Sequence, residues 1–80
     1  VRPDAATAFA WYRRAADRGY TPAEVQVALL YLRGHGVARD ANAARRYLER
    51  AARKGDAWAA WRLGRLEGAE DIPATMAPNR

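Results

Sequence analysis

Gly34-His35-Gly36-Val37-Ala38-Arg39-Asp40 is the stretch on which the reading of this chain turns. Two glycines one residue apart halt whatever precedes them. Asp40 is suited to cap whatever follows, because its carboxylate can accept free backbone N–H groups in the first turn of a new helix. Val37 is the one apolar anchor between them. Val1 and Asp4 stand 36 positions before Val37 and Asp40, so the chain opens in the middle of the same joint. This predicts an array of repeated units, with joints at 1–4 and 34–40.

The same offset pairs Ala8 with Ala44, Trp11 with Tyr47, Ala15-Ala16 with Ala51-Ala52 and Gly19 with Gly55. It goes on to pair Ala23 with Ala59, Val27 with Leu63 and Leu30 with Leu66. Matched positions are small, apolar or glycine, which is what a shared core requires. Unmatched positions are mostly charged, as solvent-facing positions can be. A fixed period of this length is the signature of a repeat architecture.

Punctuation divides the chain into four helices. Asp4 caps the first, whose stripe Ala8, Trp11, Tyr12, Ala15 has helical spacing, and Gly19 closes it. Thr21-Pro22-Ala23-Glu24 reads as a capping box with proline at the first helical position. The helix it opens, roughly 22–33, is apolar on nearly every side and is expected to be the most buried. Asp40 starts the third helix, through Ala44, Tyr47, Leu48 and Ala51 to Gly55. Asp56 starts the fourth, with Ala59, Ala60, Leu63 and Leu66 inward, and Gly68 closes it. No period-2 stretch competes. Residues 69–80 carry two prolines without periodicity and read as a flexible tail.

Helices of about three turns span about 20 Å, and connections this short set consecutive helices antiparallel as hairpins. Alanines at 15, 16, 51, 52, 23 and 59 allow close approach of helix axes, and Trp11 and Tyr47 are placed to fill the space between hairpins. The fold class is therefore all-α: two stacked helix hairpins over residues 1–68, forming a short right-handed solenoid. One hairpin cannot bury its own apolar face, and arrays of this kind need about three copies for stability. Two copies with an end at Val1 predict missing upstream repeats, a partner, or self-association through the open ends, with exposed apolar surface on the first helix around Phe9. The absence of Met at position 1 fits a processed or excised chain.

The residues Ala23, Val27-Ala28, Leu30-Tyr31, Gly34-His35-Gly36-Val37, Asp40, Ala44, Tyr47, Ala51-Ala52 and Gly55 together resemble the Sel-1-like repeat, a relative of the tetratricopeptide repeat. The resemblance covers residues 1–68. Ala28 stands where the repeat pattern has glycine, which Gly64 keeps in the second copy. After Leu66 the pattern breaks, with Glu67 in the place of Tyr31 and no second Gly-x-Gly. The structural positions of the resemblance are Ala15, Ala16, Gly19, Gly34, Gly36, Val37, Asp40, Tyr47, Ala51, Ala52 and Gly55. What it implies is an interaction module, an adaptor or scaffold that takes a partner segment on the concave face of the superhelix.

Composition narrows the chemistry. The chain has 80 residues, no cysteine and a formal net charge of +5. Disulfides and thiolate metal sites are excluded, and the compartment stays open between cytoplasm and periplasm. Richness in alanine and arginine, with Lys54 the single lysine, fits a GC-rich bacterial genome. The longest apolar run, Val27 to Leu32, is too short to cross a membrane, and no apolar leader follows Val1. His35 is the one histidine and reads as a loop residue. Asp4, Asp40 and Asp56 read as caps, and Gly34-His35-Gly36 lacks the lysine and strand of a phosphate loop. No nucleophile, base, metal cluster or cofactor motif stands out, so the chain does not read as an enzyme.

Arginines are the more informative set. Arg46, Arg50 and Arg53 share one face of the third helix, and Arg14 and Arg18 form a similar pair on the first. With Asp17 and Glu49 interleaved, these can be plain solvated faces. As a groove lining they would receive an acidic partner segment, since a guanidinium suits bidentate carboxylate or phosphate recognition. Trp61 matches Val25 and is expected in the core. Trp58 matches Pro22 at a helix start, and is either a binding anchor or a cover over the open end of the array. The alternative function, of a different class, is electrostatic binding of nucleic acid or another polyanion through the arginine faces. Basic residues spread over two helices with acids among them weigh against it.

Overall fold

The computed structural model describes residues 4–71, with side chains through Leu66. It contains four α-helices: α1 (Ala5–Asp17), α2 (Thr21–Arg33), α3 (Ala41–Arg53) and α4 (Ala57–Asp71). Each helix packs on its neighbours in the chain, α1 on α2, α2 on α3 and α3 on α4. This is an all-α solenoid of two hairpins. Among the described residues there is no strand.

The period is visible in the backbone. α1 and α3 are both 13 residues long and start 36 positions apart. Each ends in a glycine of left-handed conformation, Gly19 with φ 94° and Gly55 with φ 98°. The same two hydrogen bonds close each end: Gly19 N–H donates to Ala16 O and Gly55 N–H to Ala52 O, both at 2.9 Å. Tyr20 N–H donates to Ala15 O and Asp56 N–H to Ala51 O, both at 3.1 Å. A left-handed glycine just past the helix lets the chain turn back while the last carbonyls stay bonded.

Three aspartates cap as the sequence predicts. Asp4 Oδ1 accepts from Thr7 N–H at 2.7 Å, Asp40 Oδ1 from Ala43 N–H at 3.0 Å and Asp56 Oδ1 from Ala59 N–H at 2.8 Å. The Thr7 N–H favours the ionised form and holds the Asp4 carboxyl below its ordinary value. The predicted capping box at Thr21–Glu24 does not form. Thr21 lies inside α2, Tyr20 is its extended N-cap and offers no side-chain cap, and Glu24 turns into the core instead. At the other end, α4 runs past Gly68 to Asp71, because a glycine inside a helix costs only about 1 kcal/mol against alanine. Residues 69–71 of the predicted tail are thus helical, and its remainder lies outside the described residues.

The joint also carries tertiary contacts. Gly34 caps α2 in the left-handed region with φ 67°, and His35 N–H donates to Leu30 O at 3.0 Å. Asp40 N–H then returns to Tyr31 O at 3.0 Å. Gly36 has φ 78° and lies against the start of α1, where a Cβ would collide with the Ala5 carbonyl. Val37 is half-buried against the core of the first hairpin.

Two apolar clusters form the core. One gathers Phe9, Ala16, Ala23 and Val27; the other gathers Ala28, Ala44, Leu48, Ala51 and Ala59. Tyr31 and Tyr47 pack against both, stacked at 6.1 Å, and Phe9 meets the Tyr31 ring edge-on at 5.2 Å. Burial is shared between α2 and α3, each with four buried residues, rather than concentrated in α2. The first helix does expose apolar surface, but at Trp11 and Tyr12, 71% and 42% exposed, and not at Phe9, which is buried. Trp11 does not fill the space between hairpins: it is 71% exposed.

Candidate interaction site

Arg50 is committed inside the molecule. Its Nη2 donates to Ala16 O at 3.1 Å, its Nη1 lies 3.5 Å from Asp17 Oδ1, and its Nε lies 3.5 Å from Glu24 Oε2. The guanidinium also lies over the Tyr47 ring, 4.9 Å from its centroid. The predicted arginine face of α3 is therefore divided. Arg50 holds the first hairpin to the second, while Arg46 and Arg53 stay exposed. Arg53 borders a shallow depression with Glu49, Ala52 and Leu63. Arg14 and Arg18 are exposed on α1 beside Trp11 and Tyr20.

Glu24 and Lys54 form a part-buried ion pair that the sequence did not single out. Glu24 is fully buried, and its Oε2 accepts from Lys54 Nζ at 2.9 Å. Lys54 Nζ also donates to Gly19 O at 2.6 Å, tying the turn of the first hairpin to the end of α3. A buried carboxylate is costly unless paired, so the two cations from α3 are what allow it there. The signal was available: Glu24 is the one acid in the apolar stretch 22–33, and the helix-start pattern around it explained it away. Beside this clamp, Tyr47 donates its hydroxyl to Asp17 Oδ1 at 3.0 Å. Partial burial and the Asp17 carboxylate both push the Tyr47 phenol up from its ordinary value of 10.0.

α1 and α4 both present exposed aromatic rings. Trp58 is 40% exposed and lies 6.5 Å from Trp61. Trp61 is 57% exposed, with the Arg65 guanidinium over its ring at 5.2 Å, so it is not the core residue its match to Val25 predicted. Val25 faces α3, and among the described residues no helix lies on the corresponding side of α4. At the α1 end, Ala8, Trp11, Tyr12, Ala15 and Ala23 line a groove of about 570 Å³. His35 is exposed in the joint. Among the described residues there is no cluster of three or more potential metal ligands, and no helix long and apolar enough to cross a membrane.

Comparison with known proteins agrees with this geometry. Residues 1–20 and 21–56 match the family described as Sel1 repeat. The chain is also similar to a solved structure, the crystal structure of a Sel1 repeat protein from Oxalobacter formigenes, at 36% identity and a TM-score of 0.78. That match covers 82% of this chain and 19% of the other, so the chain spans about a fifth of the length of its structural neighbour. Sel1 repeats are in general modules of protein–protein interaction.

Proposed function

Since the chain belongs to the Sel1 repeat family, we propose that it is a non-catalytic adaptor module that binds an acidic segment of a partner protein along α3. The observation that carries this reading is the division of the α3 arginines. Arg50 is saturated by Asp17, Glu24 and the Ala16 carbonyl, whereas Arg46 and Arg53 keep exposed guanidinium groups on a helix the core holds rigid. Planar guanidinium donors suit bidentate carboxylate recognition. Trp58, partly exposed at the start of α4, is an aromatic anchor for the same partner.

The test is fluorescence anisotropy with a labelled acidic peptide and, separately, a duplex oligonucleotide, at about 0.1 and 0.5 M salt. Saturable peptide binding that weakens at least about tenfold in Arg46→Glu/Arg53→Glu supports the reading. Tighter binding of the oligonucleotide, with affinity falling steeply and log-linearly with salt, overturns it in favour of a polyanion site. Absence of saturable peptide binding overturns it as well.

A further inference from the structure

We propose that Lys54 is an acylation-sensitive latch between the two hairpins, a modification site for a small acyl donor such as an acyl phosphate. Lys54 is the only lysine in the chain, so every other basic side chain apart from His35 is an arginine and keeps its charge under acylation. Its ammonium stands where the first turn, α2 and the end of α3 meet, donating to Gly19 O at 2.6 Å and to Glu24 Oε2 at 2.9 Å. The carboxylate it serves is fully buried, and among the described residues its Oε1 has no hydrogen-bond partner. Arg50 Nε lies 3.5 Å from Oε2, an ion-pair distance too long for a good hydrogen bond. Among the described residues Lys54 is therefore the one hydrogen-bond donor that Glu24 has.

The amine is within reach of a reagent. The Lys54 side chain is 39% exposed and lies over a bare turn. Apart from its neighbours in the chain, a Cβ built on Gly19 would meet only Lys54 Nζ, at 3.6 Å, so an acyl group has room there. The step is an acyl transfer. The deprotonated amine attacks the carbonyl carbon, an N–C bond forms, the C–O bond to phosphate breaks, and phosphate leaves with the electron pair. Of the two protons that the ammonium loses, the phosphate carries one and water takes the other. The product amide is neutral and keeps a single N–H. It cannot supply both Gly19 O and Glu24 Oε2, and the charge that offsets the buried carboxylate is gone. Arg50 alone then faces Glu24, and the first hairpin loosens from the end of α3. This latch does not depend on the reading given for Arg46 and Arg53.

The test treats the folded full chain with acetyl phosphate and maps the acetyl group by tandem mass spectrometry. We expect folding to slow acetylation of Lys54 by far less than the folding constant taken from urea denaturation. Slowing equal to that constant means that the amine reacts only after global unfolding, and overturns the proposal. In the acetylated parent chain we expect the folding constant to drop at least about tenfold, with amide exchange rising around Gly19–Glu24 and Arg50–Gly55 and little changed in the 34–40 joint. A Glu24→Gln chain has no buried charge to offset and is expected to lose less than about twofold on acetylation. Lys54→Arg, reactive only at the α-amino group, corrects for acetyl placed there. Equal loss in the parent and Glu24→Gln chains, or no loss in the parent, overturns the latch. The exchange comparison on the parent chain uses no variant, so it decides the matter even where Glu24→Gln fails to fold.

Discussion

α1 and α3 hold the same place in successive copies, with equal length, equal turns and matched alanines, yet their cations lead different lives. On α3, Arg50 and Lys54 close over a buried carboxylate and two carbonyls of the first hairpin. At the end of α1, Arg14 and Arg18 are exposed. The contrast teaches that a repeat position specifies what a side chain can do, while the neighbouring helix decides whether it does it. The turns teach the complementary lesson. The backbone at Gly19 and Gly55 is the same to within a few degrees of φ, although Asp56 caps the helix that follows and Tyr20 does not. Turn geometry therefore comes from glycine and the helix-end hydrogen bonds, and the cap is an addition to it.

The sharpest way to break this comparison is to remove the cations pairwise. Arg50→Ala/Lys54→Ala strands the Glu24 carboxylate in the core and is expected to cost about 2–3 kcal/mol, below the full cost of breaking a buried pair because both cations are partly solvated. Arg14→Ala/Arg18→Ala is expected to stay within about 0.5 kcal/mol of the parent, as exposed substitutions do. Urea denaturation of the two variants measures both, and equal losses would refute the difference in role. Smaller effects are expected at the caps. Asp56→Ala should cost about 1 kcal/mol, and Tyr20→Asp, which supplies the missing cap, should gain up to about 1 kcal/mol. Thermal melts resolve this, at about 4–8 °C per kcal/mol for a domain of this size.

The smallest effect is one of pH. The Tyr47 phenol titrates above its unfolded value of 10.0, so folding favours its protonated form. Its contribution is complete below about pH 10 and is lost as pH rises through the folded value. Tyr47→Phe is expected to flatten the alkaline decline of the urea midpoint relative to the parent chain. An unchanged slope would show that Asp17 and burial do not act on this hydroxyl as the geometry requires.

Most of the architecture was legible in the sequence because it rests on local chemistry. Three aspartates mark helix starts through bonds to N–H groups three residues away, and two glycines mark ends through a conformation other residues avoid. What was not legible depends on who lies next door. Trp11 was read from Tyr47, and Trp61 from Val25. Both transfers keep the position on the helix, but among the described residues no helix covers either position, so both rings are exposed. Glu24 failed in the opposite sense. Its spacing from Thr21 suits a cap, but Lys54 and Arg50, some 30 and 26 residues further on, offer its charge a stronger partner than a backbone N–H. No local pattern encodes that pairing. The divided arginine face follows from the same cause, since Arg50 is distinguished from Arg46 and Arg53 only by its reach to the first hairpin.

The stacked Tyr31 and Tyr47 rings have a consequence for how the chain opens. Among the described residues they are the one pair of side chains packed against both apolar clusters, so neither hairpin can loosen without disturbing the other at that point. α1 packs mainly on α2 and α4 mainly on α3, whereas α2 and α3 each pack closely on two helices. Among the four described helices, opening at α1 or α4 breaks fewer contacts than opening between α2 and α3. Amide protons are thus protected in a gradient, slowest to exchange in α2 and α3 around the tyrosine pair and faster toward either end.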